Sequence, residues 1–92
     1  MYDILKIDGK EYPIRFSKKV IALWEKKTGK HRRELGDSML EEEFIYIHLA
    51  LEEGFKKAKK KFSISLDDLW DLDDEHDFYN KVFELIETKE KK

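Results

Sequence analysis

Four serines, three histidines and one dense acidic run are the residues of this 92-residue chain whose chemistry could reach beyond packing. A serine nucleophile needs an oriented base within hydrogen-bond reach. Ser17, Ser38, Ser63 and Ser65 instead fall at helix starts or in loops, where a hydroxyl is expected as a cap. There is no cysteine, so neither a thiolate nucleophile nor a thiolate metal site is available. The histidines are scattered: His31 in a basic loop, His48 at the edge of the longest helical pattern, and His76 inside Asp73-Asp74-Glu75-His76-Asp77. That last cluster has ligand types for a divalent cation. It lacks the glycine and the spacing of an EF-hand loop, and acidic residues ahead of a helix are expected from the helix dipole alone. Four separated glycines make no phosphate cradle. The expectation is a protein with no catalytic residues, no metal site and no cofactor, whose work is binding.

Charge narrows the kind of binding. From Arg15 to Arg33 eight cations face Glu25 alone, and from Ser63 to Thr88 nine carboxylates face Lys81 alone, although the whole chain carries only −2. Part of this is helix-end complementation, with Lys56 to Lys61 at a helix C-terminus and Asp67 and Asp68 at an N-terminus. The rest could join opposite ends of neighbouring copies or attract a charged partner. Residues 26–33 and 56–61 are basic enough to suggest phosphate contacts, so a small nucleic-acid-binding protein is the alternative function. Against it stand a pI of about 5.9, the acidic final third, and the lack of helix-turn-helix spacing or an aromatic platform on the hairpin.

The elements that would position these groups are legible in outline. Tyr2 to Asp8 and Glu11 to Phe16 alternate in polarity around Asp8-Gly9, a strong hairpin signal, and Pro13 places the second strand at a sheet edge or a break. Ser17 opens a helix that Gly29 stops. Ser38, with Glu41 three residues on, is read as the start of the main helix, whose core face is Leu40, Phe44, Ile47, Leu51, Phe55 and Ala58. Gly54 weakens that helix and suggests a tight helix crossing. Ser65 and Asp68 form a capping-box pair. The expected layout is a single α+β domain, mainly helical: a hairpin over 1–16, helices over 17–29, 38–61, 65–72 and 74–88, and a frayed tail over 89–92. Phe78, Val82 and Leu85 make one stripe of the last helix, and Tyr79, Phe83 and Ile86 a second. A chain of this length buries only about two thirds of its unfolded surface, and no apolar run approaches the roughly 18 residues of a membrane span. Residues 1 to 20 lack a signal peptide's apolar centre, so a cytoplasmic protein is expected.

The string Ile7-Asp8-Gly9-Lys10-Glu11-Tyr12-Pro13-Ile14-Arg15-Phe16, then Trp24-Glu25-Lys26-Lys27-Thr28-Gly29-Lys30, and later Ser65-Leu66-Asp67-Asp68-Leu69-Trp70, resembles the small tail assembly chaperones of long-tailed phages and prophages. The likeness runs the length of the chain, in the order and spacing of hairpin, capped helix, long middle helix and capped final part. It implies a non-enzymatic protein of the bacterial host cytoplasm that coats the tape measure protein, recruits tail tube subunits, self-associates, and is absent from the finished virion. Members of that family often make a second, longer product by frameshifting near the end of the short reading frame, and Lys91-Lys92 is compatible with such a site, although a protein sequence does not show codons. The apolar arcs around Ile45 and Leu49, and around Tyr79 and Phe83, are wider than a thin domain needs to bury. With Trp70, these five residues are the expected partner-binding set, the alternative being that the main helix is central and buried on two sides and that Trp70, Tyr79 and Phe83 are core residues.

Overall fold

The computed structural model describes residues 1–90. Strands β1 (Asp3–Ile7) and β2 (Lys10–Ile14) pair antiparallel in a register that sets Leu5 opposite Tyr12 and Ile7 opposite Lys10. Asp8 and Gly9 turn the chain with φ of 52° and 78°. Such a positive-φ pair matches strand twist in a two-residue hairpin. Leu5 and Ile7 face the core while Ile4 and Lys6 face out, as period-two alternation requires. Pro13 lies opposite Ile4 in a sheet of only two strands, where both strands are edges.

Helix α1 (Lys18–Thr28) is closed by the caps its sequence announces. Ser17 accepts from Val20 N–H at 3.3 Å, and Gly29, at φ 73°, donates to Glu25 O at 2.8 Å. The hydroxyl satisfies a free first-turn amide, and the left-handed glycine satisfies a last-turn carbonyl. A 3-10 helix (Arg32–Asp37) follows, where only a basic loop was expected. It opens on His31, whose Nδ1 accepts from Arg33 N–H while Glu34 folds back to the His31 amide at 2.7 Å.

The longest helix, α2 (Leu40–Lys57), is shorter than the expected 38–61 at both ends. Ser38 does not open it: its hydroxyl donates backwards to Leu35 O at 2.6 Å and so closes the 3-10 helix. Glu42 rather than Glu41 supplies the capping carboxylate, accepting from Met39 N–H at 3.1 Å. At the far end Lys59 takes a left-handed φ of 59°. Lys60 N–H reaches Phe55 O while Lys59 N–H reaches Lys56 O, the paired bonds of a Schellman stop. Ala58 therefore lies past the helix, not on its core face. Gly54 does mark a close approach, but to a strand and not to a helix. A Cβ there would overlap the Ile14 backbone, and Arg15 N–H donates to Ala50 O at 3.0 Å beside it.

Helices α3 (Leu66–His76) and α4 (Phe78–Glu90) meet at Asp77 instead of near residue 73. Ser65 and Asp68 exchange the two 3.0 Å bonds of a capping box. Asp77 turns the chain at φ 55°, Asp73 accepts from Tyr79 N–H at 2.7 Å, and the acidic run is helical up to that point. Helix α4 continues through Lys89 and Glu90, where fraying was expected; Lys91 and Lys92 lie outside the described residues.

Helix α2 is the hub, because its turn of about 100° per residue presents a different face to each neighbour. Glu42, Tyr46 and Glu53 meet α1: Trp24 Nε1–H donates to Glu42 O at 2.7 Å, and Lys19 pairs with Glu53 at 3.6 Å. Phe44, on the opposite side, is stacked against Trp70 of α3 and Tyr79 of α4. Ala50 and Gly54 carry the hairpin. The core so enclosed contains Ile14, Val20, Trp24, Phe44, Ile47, Leu51, Leu69, Phe78 and Val82, with Phe55 half-buried beside Phe62.

Candidate interaction surface

The five residues expected to bind a partner do not form one surface. Trp70 is half-buried with its ring 3.9 Å from that of Phe44 and nearly parallel, at 8°. Tyr79 stacks over Phe44 at 5.9 Å, leans on Phe83 at 4.7 Å, and donates its hydroxyl to Glu43 Oε1 at 2.9 Å. These two rings belong to the packing between α2, α3 and α4. Phe83, also half-buried, lines a hollow of about 360 Å³ with Arg32, Arg33, Leu35, Tyr46 and Ile86.

Ile45 and Leu49 stand elsewhere on α2. With Glu52 and Lys56 they follow steps of four, three and four, a stripe between the face that meets α1 and the face that meets α3. That stripe floors a cleft of about 480 Å³ walled by Leu23 and Lys27 of α1 and by Leu66 of α3, with His48 on the floor. A second hollow of about 240 Å³ shares Leu23, Leu49 and Glu52 and continues toward Lys19, Val20 and Lys56. Leu49 is only 6% exposed and lies at the bottom, whereas Leu23, at 36%, projects at the rim. Leu23 was missed in the sequence, although a signal existed: Val20 and Trp24 take the core side of α1, which leaves Leu23 between Lys19 and Lys27, four residues away in each direction.

The two basic segments are separated by the packing of α1 on α2. Lys19 meets Glu53, and Lys30 meets Glu42 at 2.7 Å, so the helices run antiparallel. Lys26 to Arg33 therefore lie at one end of the pair and Lys56 to Lys61 at the other. The acidic run lines a wide cleft of about 770 Å³ with Asp8, His76 and Lys81. His76 Nε2 stands 3.7 Å from Glu75 Oε2, and among the described residues no group of three or more histidine, aspartate or glutamate side chains is placed to hold a metal ion. His48 is used structurally, its Nε2–H donating to Ile64 O at 2.8 Å and tying down the segment before α3.

Three ionisable groups around α2 are displaced from their ordinary behaviour. Burial pushes the Glu43 carboxyl up, opposed by the hydrogen bond from Tyr79. Burial also raises the Tyr79 phenol, helped by that same bond. Glu42, the neighbour of Glu43 in sequence, is held low by the hydrogen bond from Lys30. Of the serines, Ser17, Ser38 and Ser65 are all engaged with backbone groups at helix ends. No helix among the described residues is long and apolar enough to cross a membrane. Comparison with family models, with curated proteins and with solved structures finds no match to the chain.

Proposed function

We propose that this protein is a tail assembly chaperone of a long-tailed phage or prophage: a non-enzymatic binder of the tape measure protein that recruits tail tube subunits in the host cytoplasm and leaves before the virion is complete. The observation that carries the reading is the apolar cleft of Leu23, Ile45, Leu49 and Leu66, open on a chain that is 43% charged. A long helical client exposes apolar stripes that aggregate unless covered, and helix-in-groove docking covers them while the charged exterior keeps the complex dispersed. The segments that carry the family resemblance also sit at the turns and caps on which this fold depends: Asp8-Gly9, Thr28-Gly29, and Ser65 with Asp68.

Many copies would be needed on one long client, so self-association belongs to the same proposal. The lysines of α1 and the carboxylates of α3 ride on helices that meet opposite sides of α2, an arrangement suited to head-to-tail contact between copies. The rival reading, nucleic-acid binding, loses support from the separation of its two basic segments along the α1–α2 pair. The test is co-expression with a cognate tape measure protein. The expected result is a client found in the supernatant only when this protein is present. A client equally insoluble with and without it, together with tight salt-dependent binding of DNA or RNA through Lys26, Lys27, Arg32 and Arg33, would replace the proposal with its rival.

A further inference from the structure

We infer that the cleft between α1 and α3 takes a helix of one particular charge pattern: apolar side chains at i, i+3 or i+4, and i+7, with carboxylates flanking both ends of that stripe. The inference rests on the chaperone reading for the source of the helix, a segment of the client, but its geometry stands on this chain alone.

The floor of Ile45 and Leu49, the wall of Leu23 and the end of Leu66 form one apolar strip running between α1 and α2. Five charged residues border it. Lys19 and Glu53 are paired with each other at 3.6 Å. Among the described residues, Lys27 and Lys56 have no carboxylate within ion-pair distance, and Glu52 has no cation. The uncommitted balance is thus positive, and it lies at the two ends: Lys27 by the C-terminal turn of α1, and Lys56 by the C-terminal turn of α2. Because α1 and α2 are antiparallel, those ends are opposite ends of the strip. Lys19 and Lys27 lie eight positions apart on α1. From the rise of an α-helix, that spacing marks the strip's length at about 12 Å. A docked helix lying along the strip brings residues seven or eight apart over the same span. Carboxylates there meet Lys27 and Lys56, whereas lysines there would leave like charges facing each other.

The probe is a pair of labelled 15-residue helical peptides with the same leucines, one with glutamates at the flanking positions and one with lysines, titrated into the full chain and followed by anisotropy. The glutamate peptide is expected to bind at least about tenfold more tightly than its lysine twin, and Leu23→Gln to weaken it by about tenfold while the thermal midpoint stays put. The double reversal Lys27→Glu with Lys56→Glu should invert the preference; both positions are exposed, so this variant decides the matter even if Leu23→Gln loses its fold. Equal binding of the two peptides, or an unchanged preference in the reversed variant, overturns the inference. So does loss of self-association in Leu23→Gln with no peptide binding by the parent protein, which would make the cleft a contact between copies. Rescue of the client that is indifferent to Leu23→Gln sinks this site and leaves the chaperone reading standing. Peptide binding of the expected kind without any rescue does the reverse.

Discussion

Tyr79 donates its hydroxyl to Glu43 Oε1 across 2.9 Å, tying α4 to a carboxylate that is 7% exposed on α2. Glu43 sits one residue from Glu42, which projects to Lys30, and the two carboxylates respond to pH with opposite sign. Glu43 is raised by burial, so the native state holds its proton more tightly than the unfolded chain. Its contribution is complete below the ordinary carboxylate value of 4.5 and is lost as pH rises through its elevated value. Glu42 is lowered by Lys30, so its contribution is present above 4.5 and is lost as pH falls. Urea midpoints measured across pH 4 to 8 should show Glu43→Gln gaining on the parent protein as pH rises. Glu42→Gln should instead fall behind it over the same range.

Gly54→Ala should be among the most harmful single substitutions in the chain. Helix propensity alone favours alanine by about 1 kcal/mol. The added methyl, however, meets the Ile14 backbone and cannot be relieved by a side-chain rotation. Overpacking at the upper end of its usual range, about 3 kcal/mol, less the propensity gain leaves a net loss of about 2 kcal/mol. Chemical denaturation measures it directly, and a variant as stable as the parent would mean that α2 does not press on β2 as described.

Lys59→Gly should act in the opposite direction. Lys59 holds a φ of 59°. Glycine escapes the Cβ clash that this left-handed position imposes. Relief of that strain, less the extra freedom glycine gives the unfolded chain, leaves a gain of about 0.5–1 kcal/mol. The thermal midpoint should rise with no change in helical circular dichroism.

These two positions also mark what the sequence does and does not disclose. The hairpin, the caps at Ser17, Gly29 and Ser65, and the core stripe of Phe44, Ile47 and Leu51 were legible because each depends on neighbours within a few residues. The start of α2 was not, since Ser38 ahead of Glu41, Glu42 and Glu43 offers competing caps, and the choice turns on whether Ser38 is drawn back to Leu35. Its end was misplaced because no glycine announces a left-handed stop made by lysine. The break between α3 and α4 shifted for a related reason: Asp77 supplies the left-handed residue, so the acids before it remain helical. The cleft was only half legible. Ile45 and Leu49 were visible as a surplus beside the core stripe, but Leu23 gains its meaning from the register of α1 on α2, which no local pattern encodes.

Alanine at Trp70 and at Tyr79 should separate packing from binding. Trp70 lies flat on Phe44, and Tyr79 covers Phe44 while satisfying Glu43. Each truncation should therefore cost about 2–4 kcal/mol of stability. Client rescue should then fall only in proportion to the folded fraction. A Trp70→Ala variant that keeps its thermal midpoint and yet fails to rescue would return that ring to the partner surface.

Self-association is the last expectation, and salt is its diagnostic. If copies meet head to tail through the lysines of α1 and the carboxylates of α3, sedimentation should show species larger than a monomer above micromolar concentration. These should shrink as ionic strength rises, because exposed charges are screened beyond about 10 Å at 0.1 M salt. Reversing Lys18 and Lys26 to glutamate, both exposed on α1, should reduce assembly in low salt while leaving the fold intact. An apolar contact would behave differently, holding or strengthening in salt and ignoring the reversal. A strict monomer at high concentration in both low and moderate salt would remove the head-to-tail contact, and with it the means by which a 92-residue chain could coat a client many times its length.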